Sequence, residues 1–218
     1  MKTILKSKIM IQLTKFFAPL IIAFGVFGTL WFSLEENVWN KLWPLITGYF
    51  FPPLGKESII PTGVLIFNIN PVLMALSIAF VDIVVALFLI WNYDLAKKVP
   101  FIGKFMIKIE EKGKDFGKKY GWVKPLRFVG LVLFVMIPFQ GSGGLVGSIV
   151  GRLIGMKPWN AFFAISIGAI VGTLLIATFT RAFQVFAEVN TILTIILIVV
   201  IAVIIILYFI IKKQKEKN

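Results

Sequence analysis

The residues of this chain that could do chemistry are carboxylates and glycine-borne amides, and they lie inside apolar sequence. Asp82 is the single charged residue in the 36 residues from Ser58 to Tyr93. It stands eleven residues into an apolar run that opens at Pro71 (PVLMALSIAFVDIVVALFLIW). A carboxylate in such a run is costly. It must bind a cation, carry a proton, or accept hydrogen bonds that hold helices together. The expected partner is a hydroxyl, a backbone amide at a break in the chain, or Arg152. Glu57 opens a second motif, GKESIIPTG, at Gly55–Gly63. It either faces a cavity as an ion or proton site, or anchors an interface beside Lys56.

The stretch IPFQGSGG supplies Pro138, Gln140, Gly141, Ser142, Gly143 and Gly144. Amides exposed in a glycine turn can hold an anionic group. The competing reading is that glycine only lets helices pack closely. Gln140 and Ser142 would donate hydrogen bonds to a substrate or to backbone. Pro61 and Pro138 are expected to shape two chain breaks. Arg152 either snorkels to lipid headgroups or meets a carboxylate at depth. Gly143, Gly147 and Gly151 form a small-xxx-small face, suited to close packing or a homodimer.

Other chemistries are excluded or disfavoured. Cys and His are both absent. That removes thiol chemistry, imidazole acid–base work and most zinc or copper sites. No metal and no cofactor is expected. GSGGLVGS lacks the Lys-Ser/Thr of a phosphate-gripping loop. Clustered acids or histidine near one interface are lacking, so an enzyme is not expected.

The elements that must position these residues are membrane spans. Hydrophobic residues make up 59% of the chain, and the mean hydropathy is +0.94. Soluble domains are about 45–50% apolar. Five stretches lack any Asp, Glu, Lys or Arg: Phe16–Leu34, Ser58–Val81, Phe128–Gly151, Pro158–Thr180 and Val189–Ile211. Each exceeds the ~18 residues that read as a span. The formal charge of +13 sits at the flanks of these runs. Basic flanks are topology signals and headgroup contacts, so nucleic acid is not an expected partner.

Three runs cannot be straight spans. Leu42–Gly55 is apolar but carries Pro44, Pro52 and Pro53. Ser58–Tyr93 would be about 54 Å of helix against a hydrocarbon core of about 30 Å. Asn68 and Pro71 are the natural division. Phe128–Gly151 carries Pro138 and six glycines. The expected organisation is therefore one all-α integral membrane domain over 1–218. It has spans at 16–34, 71–93, 158–180 and 189–211, and re-entrant segments at 42–70 and 128–156. The segment 94–127 holds nine Lys and one Arg against four acids. It is expected to be a cytoplasmic loop with an amphipathic helix on the inner leaflet. Both termini are expected in the cytoplasm, and Arg181 and Glu188 in a short outer loop.

This gives about four full transmembrane helices plus two oppositely oriented re-entrant hairpins in an inverted repeat. Each hairpin is followed by a span that opens with proline, Pro71 or Pro158. Inverted repeats with interrupted helices are a recurring transporter plan, with the breaks meeting near the midplane.

The residues also carry a family resemblance. FVMIPFQGSGGLVGSIVGRLIGMKPWNAFFAISIGAIVG, Phe134–Gly172, resembles the small multidrug export proteins of prokaryotes. GKESIIPTG resembles that family's first motif, and VDIVVALFLIWNYDLAKK (Val81–Lys98) fits archaeal members. The second unit is also similar, more distantly, to the DedA superfamily, which includes lipid flippases and scramblases. DedA proteins flank the loop proline with arginines, and the corresponding positions here are Val135 and Gly141. The resemblance implies a secondary exporter of small molecules, with Asp82 or Glu57 taking a coupling proton or sodium ion. The alternative it implies is a lipid scramblase or flippase. The implied partners are membrane lipids and a small-molecule or lipid substrate.

Overall fold

The computed structural model describes residues 2–51, 54–93, 126–139 and 142–196, with 199–200, 203–204 and 207–208. The amphipathic helix expected in 94–127 falls almost wholly outside these residues, as do Gln140, Gly141 and the basic tail. Among the described residues the ordered elements are all helical. They are α1 (Lys2–Ser33), α2 (Glu36–Gly48), α3 (Lys56–Pro61) continuing into a π-helical turn (Thr62–Ile66), α4 (Pro71–Trp91), α5 (Leu126–Met136), α6 (Gly144–Leu153) and α7 (Pro158–Val189). The chain divides into two compact units, Met1–Thr178 and Phe179–Asn218.

Among the described residues, three helical segments are long and apolar enough to cross a membrane: Met10–Ser33, Pro71–Trp91 and Pro158–Val189. Their outer faces need lipid. Phe24 and Phe32 are 78% and 84% exposed, in a helix with hardly a buried residue. Apolar surface on that scale is not stable in water. The protein is a membrane protein.

Local chemistry explains where α4 begins. Asn68 takes a left-handed conformation at φ 53°. Asparagine tolerates that region better than most residues. The Asn70 side chain then caps the helix, accepting from the amides of Val72 (2.9 Å) and Leu73 (3.2 Å). Pro71 occupies the first turn, where a missing N–H costs nothing. The division at Asn68–Pro71 is the one the sequence reading expected.

Three expectations need correction. Pro44 does not break the chain. It lies inside α2, as Pro19 lies inside α1. A helix can pass a proline by giving up one hydrogen bond and bending. The break falls later, after Gly48. Pro61 is likewise not in a loop but at the junction of α3 with the π-helical turn. There the amide of Phe67 reaches back five residues to the Thr62 carbonyl. Finally, Arg181 and Glu188 lie within α7, which runs on to Val189 rather than stopping at 180. Arg181 donates to Gln184 at 2.8 Å, a spacing that suits a continuous helix.

α2 and the α3–π segment pack antiparallel. Gly48 faces Leu54 and Ile59, while Gly63 faces Leu45. α5 and α6 form a second antiparallel pair. Gly155 faces Arg127, Gly151 faces Leu131, and Gly147 faces Val135. Gly147 and Gly151 also meet Ile165 and Ala161 of α7. Both glycines are thus occupied within the chain. Gly168 and Gly172 of α7 lie against the α5 backbone at Val132 and Met136. At these four positions glycine serves close packing.

α4 separates two apolar cores. Met74, Ala75, Ile78 and Val81 pack with the first pair, around Leu42 and Ile60. Ala79, Ala86 and Ile90 pack with the second, around Leu131, Val135 and Ile165. Asp82 lies on α4 between them.

Candidate functional site

Both hairpin turns converge on Asp82. The first turn lies between α2 and α3 and brings Tyr49 and Lys56. The second lies between α5 and α6 and brings Gly143 and Gly144. Asp82 is 3% exposed. Its Oδ1 accepts from the Gly144 amide at 2.7 Å and from the Tyr49 hydroxyl at 3.0 Å. Gly144 is the first residue of α6, so the carboxylate sits at a helix N-terminus. The unpaired amides and dipole there favour a negative charge. Oδ2 of Asp82 is buried with no hydrogen-bond partner among the described residues.

Glycine is required at this approach. A Cβ on Gly144 would collide with the Asp82 backbone carbonyl. A Cβ on Gly143 would press on Oδ1 of Asp82 and the Tyr49 hydroxyl, at 2.5 and 2.7 Å. The turn that presents the amide can therefore come this close only without side chains.

Lys56 is the second buried ionisable side chain of the site, 1% exposed. Its Nζ donates to the Val135 carbonyl at the end of α5. The last carbonyls of a helix have no partner within it, so Lys56 caps α5 from the opposite hairpin. Lys56 also lies close enough to Asp82 and Glu57 for their charges to interact. One charge can offset part of the burial cost of the other.

A cavity of about 260 Å³ opens beside these groups. Tyr49, Lys56, Asp82 and Gly144 supply its polar floor, and Phe50, Val85, Phe139 and Leu145 are among its apolar walls. Phe50, Phe139 and Leu145 are exposed, so the walls lead outward to where lipid would lie. An apolar chamber with a few convergent polar groups is the usual form of a small-molecule site.

The expected residues are only partly brought together. Asp82 and Gly143 line the cavity. Two of the three partner types expected for Asp82, a hydroxyl and a break-point amide, are its partners. Arg152 is not: its guanidinium lies over the Tyr93 ring at 4.5 Å. Glu57 folds back over Gly55, with Oε2 buried and without a hydrogen-bond partner among the described residues. Ser142 is buried and donates to the Ile137 carbonyl at 2.7 Å, closing the second turn. Neither Pro61 nor Pro138 is among the residues that line the cavity. Two lining residues, Tyr49 and Lys56, were missed. Lys56 did leave a signal: it is the only base between Leu42 and Ala96.

The family described as "Putative small multi-drug export protein" matches residues 58–175, just over half of the chain. The chain belongs to that family. In this chain the matched region holds α4 to α6, most of α3 and more than half of α7. It includes Asp82, Gly143 and Gly144 but not Tyr49 or Lys56. No curated protein and no solved structure matches the chain.

Proposed function

We propose that the protein is a multi-pass, ion-coupled exporter of small amphipathic molecules, with Asp82 as the shared ion and solute site. One observation carries this reading. Oδ2 of Asp82 is buried, has no hydrogen-bond partner among the described residues, and lies beside a cavity with apolar walls. A buried carboxylate oxygen left without a donor calls for a proton, a sodium ion or a cationic head group. The cavity would take a small apolar body, and the carboxylate its polar end. Ion and solute would then compete for one acid, which is enough to couple their movements.

The two antiparallel helix pairs support the inverted re-entrant plan. Over the described residues α5 and α6 span 11 and 10 residues. That is about half the length needed to cross a hydrocarbon core of about 30 Å. Each pair ends at a turn beside Asp82 and is followed by a long apolar helix opening with proline. In this reading the pairs enter from opposite faces and meet at mid-depth, with both termini in the cytoplasm.

The test is efflux of a fluorescent lipophilic cation from proteoliposomes under an imposed proton or sodium gradient. Asp82→Asn should cut gradient-driven movement at least about tenfold. Wild-type rates in Asp82→Asn would overturn the proposal. The exposed aromatic walls favour one second reading, a DedA-like lipid scramblase, in which a headgroup would pass the same floor. That reading requires labelled lipid to equilibrate between leaflets without any gradient.

A further inference from the structure

A second cavity, of about 550 Å³, lies at the end of the bundle where three spans begin or finish. Met10 and Lys15 come from the start of the first span, Trp91 from the end of the second, and Pro158 and Trp159 from the start of the third. Arg152, from the last turn of α6, completes it. Three span ends at one level mark a membrane–water boundary, and tryptophans are enriched there. The edge of Trp91 meets Trp159, with centroids 6.2 Å apart.

The cavity carries two cations, Lys15 and Arg152, and no carboxylate is among its described lining residues. A base in the last turn of a helix is ordinary by itself. Arg152 is built in more firmly. Its guanidinium is held over the Tyr93 ring at 4.5 Å, and its Nε is buried without a hydrogen-bond partner among the described residues. A stacked guanidinium keeps its in-plane N–H groups free to grip an oxyanion. The cavity wall is also tied together from behind. The Asn92 side chain donates to the Lys15 carbonyl at 3.0 Å and to the Phe88 carbonyl at 2.8 Å, joining α1 to α4. Met10, Ile11 and Trp159 are exposed around the opening and offer apolar contact.

From this geometry we infer that the cavity binds the phosphate of an anionic phospholipid, gripped by Arg152 and Lys15, with its acyl chains along Met10, Ile11 and Trp159. The phosphate requirement comes from the paired cations. The lipid source comes from the depth of the site and its apolar rim. The site is separate from the Asp82 cavity and independent of any transport activity.

The test uses the full chain in detergent, with retained lipid read by native mass spectrometry and stability by thermal unfolding. The probes are phosphatidylglycerol, phosphatidylcholine and inorganic phosphate. Phosphatidylglycerol should be retained over phosphatidylcholine and should raise the unfolding temperature. Arg152→Gln and Lys15→Gln should each weaken retention about fivefold, the effect of losing one base at the headgroup level. Arg152→Lys should fall between wild type and Arg152→Gln. Lys15 is exposed, so Lys15→Gln reports even if the arginine variants fold poorly. Equal retention of both lipids, or unchanged retention in Lys15→Gln, would overturn the inference. Stabilisation by inorganic phosphate as large as that by phosphatidylglycerol would reassign the site to a free anion.

Discussion

Gly144 rests directly on Asp82. Its amide donates to Oδ1 at 2.7 Å, and its missing side chain leaves room for the Asp82 main-chain carbonyl. A backbone atom cannot swing aside as a flexible side chain can. Gly144→Ala should therefore cost about 1–3 kcal/mol, the range for overpacking. Gly25 and Gly28 have nothing within 4 Å of an added Cβ. Gly25→Ala and Gly28→Ala should be neutral or stabilise by about 0.5–1 kcal/mol. Thermal unfolding of the three variants in one detergent checks the contrast.

Asp82→Asn keeps an oxygen for Gly144 and Tyr49 but loses the charge. Gradient-driven efflux should fall at least about tenfold, the change that follows from losing ~1.4 kcal/mol of ion or solute binding. The variant should still fold. Asp82→Leu should also unfold at lower temperature, because the Gly144 amide is left buried and unsatisfied at about 1–3 kcal/mol. Parallel efflux and unfolding measurements separate the two roles.

Tyr49→Phe removes one of the two donors to Asp82 and little else. The cost should be about 1.5–3 kcal/mol, as for a hydrogen bond to a charged group. Efflux should drop less than in Asp82→Asn, because the carboxylate remains. Equal loss in both variants would mean that the hydroxyl itself touches the solute.

Lys56→Met keeps length and removes the cap on the Val135 carbonyl. The orphaned carbonyl should cost about 1–3 kcal/mol. The two hairpin turns should also separate more readily. A bifunctional thiol reagent joining Leu54→Cys to Phe139→Cys, both at the cavity wall, should react more slowly in the Lys56→Met background.

The chain has no cysteine, so single-site labelling is unambiguous. Arg127 and Gly155 are neighbours at the open end of the α5–α6 pair. Leu126→Cys and Lys157→Cys should thus label from the same side of the membrane. Labelling from opposite sides would mean that this segment crosses, and the re-entrant reading would fail.

Much of this arrangement was legible from single residues. Asp82 announced itself as a lone charge in an apolar run. Asn68 and Pro71 marked the start of α4, because a residue that tolerates the left-handed region and a first-turn proline are local signals; the Asn70 cap was not read. The glycines of the second turn pointed to a close approach. What could not be read was which groups fill the space around the acid. Tyr49 and Lys56 lie 33 and 26 residues before Asp82, in a turn whose packing depends on the whole first hairpin. Prolines misled for a related reason. Pro44 and Pro61 read as breaks by residue type, yet helix and π-turn absorb them where neighbouring contacts compensate. Arg181 misled because a charge was expected to end a span, whereas α7 continues past it.

The contact between Gly144 and the Asp82 main chain has a consequence for how such a protein diversifies. Backbone resting on backbone fixes the acid without reference to the side chains nearby. Phe50, Val85, Phe139 and Leu145 can then change by mutation while the carboxylate stays in register. On the ion-coupled reading proposed above, selectivity and energy coupling would drift independently, and one scaffold could give rise to descendants that handle different cargoes with the same ion.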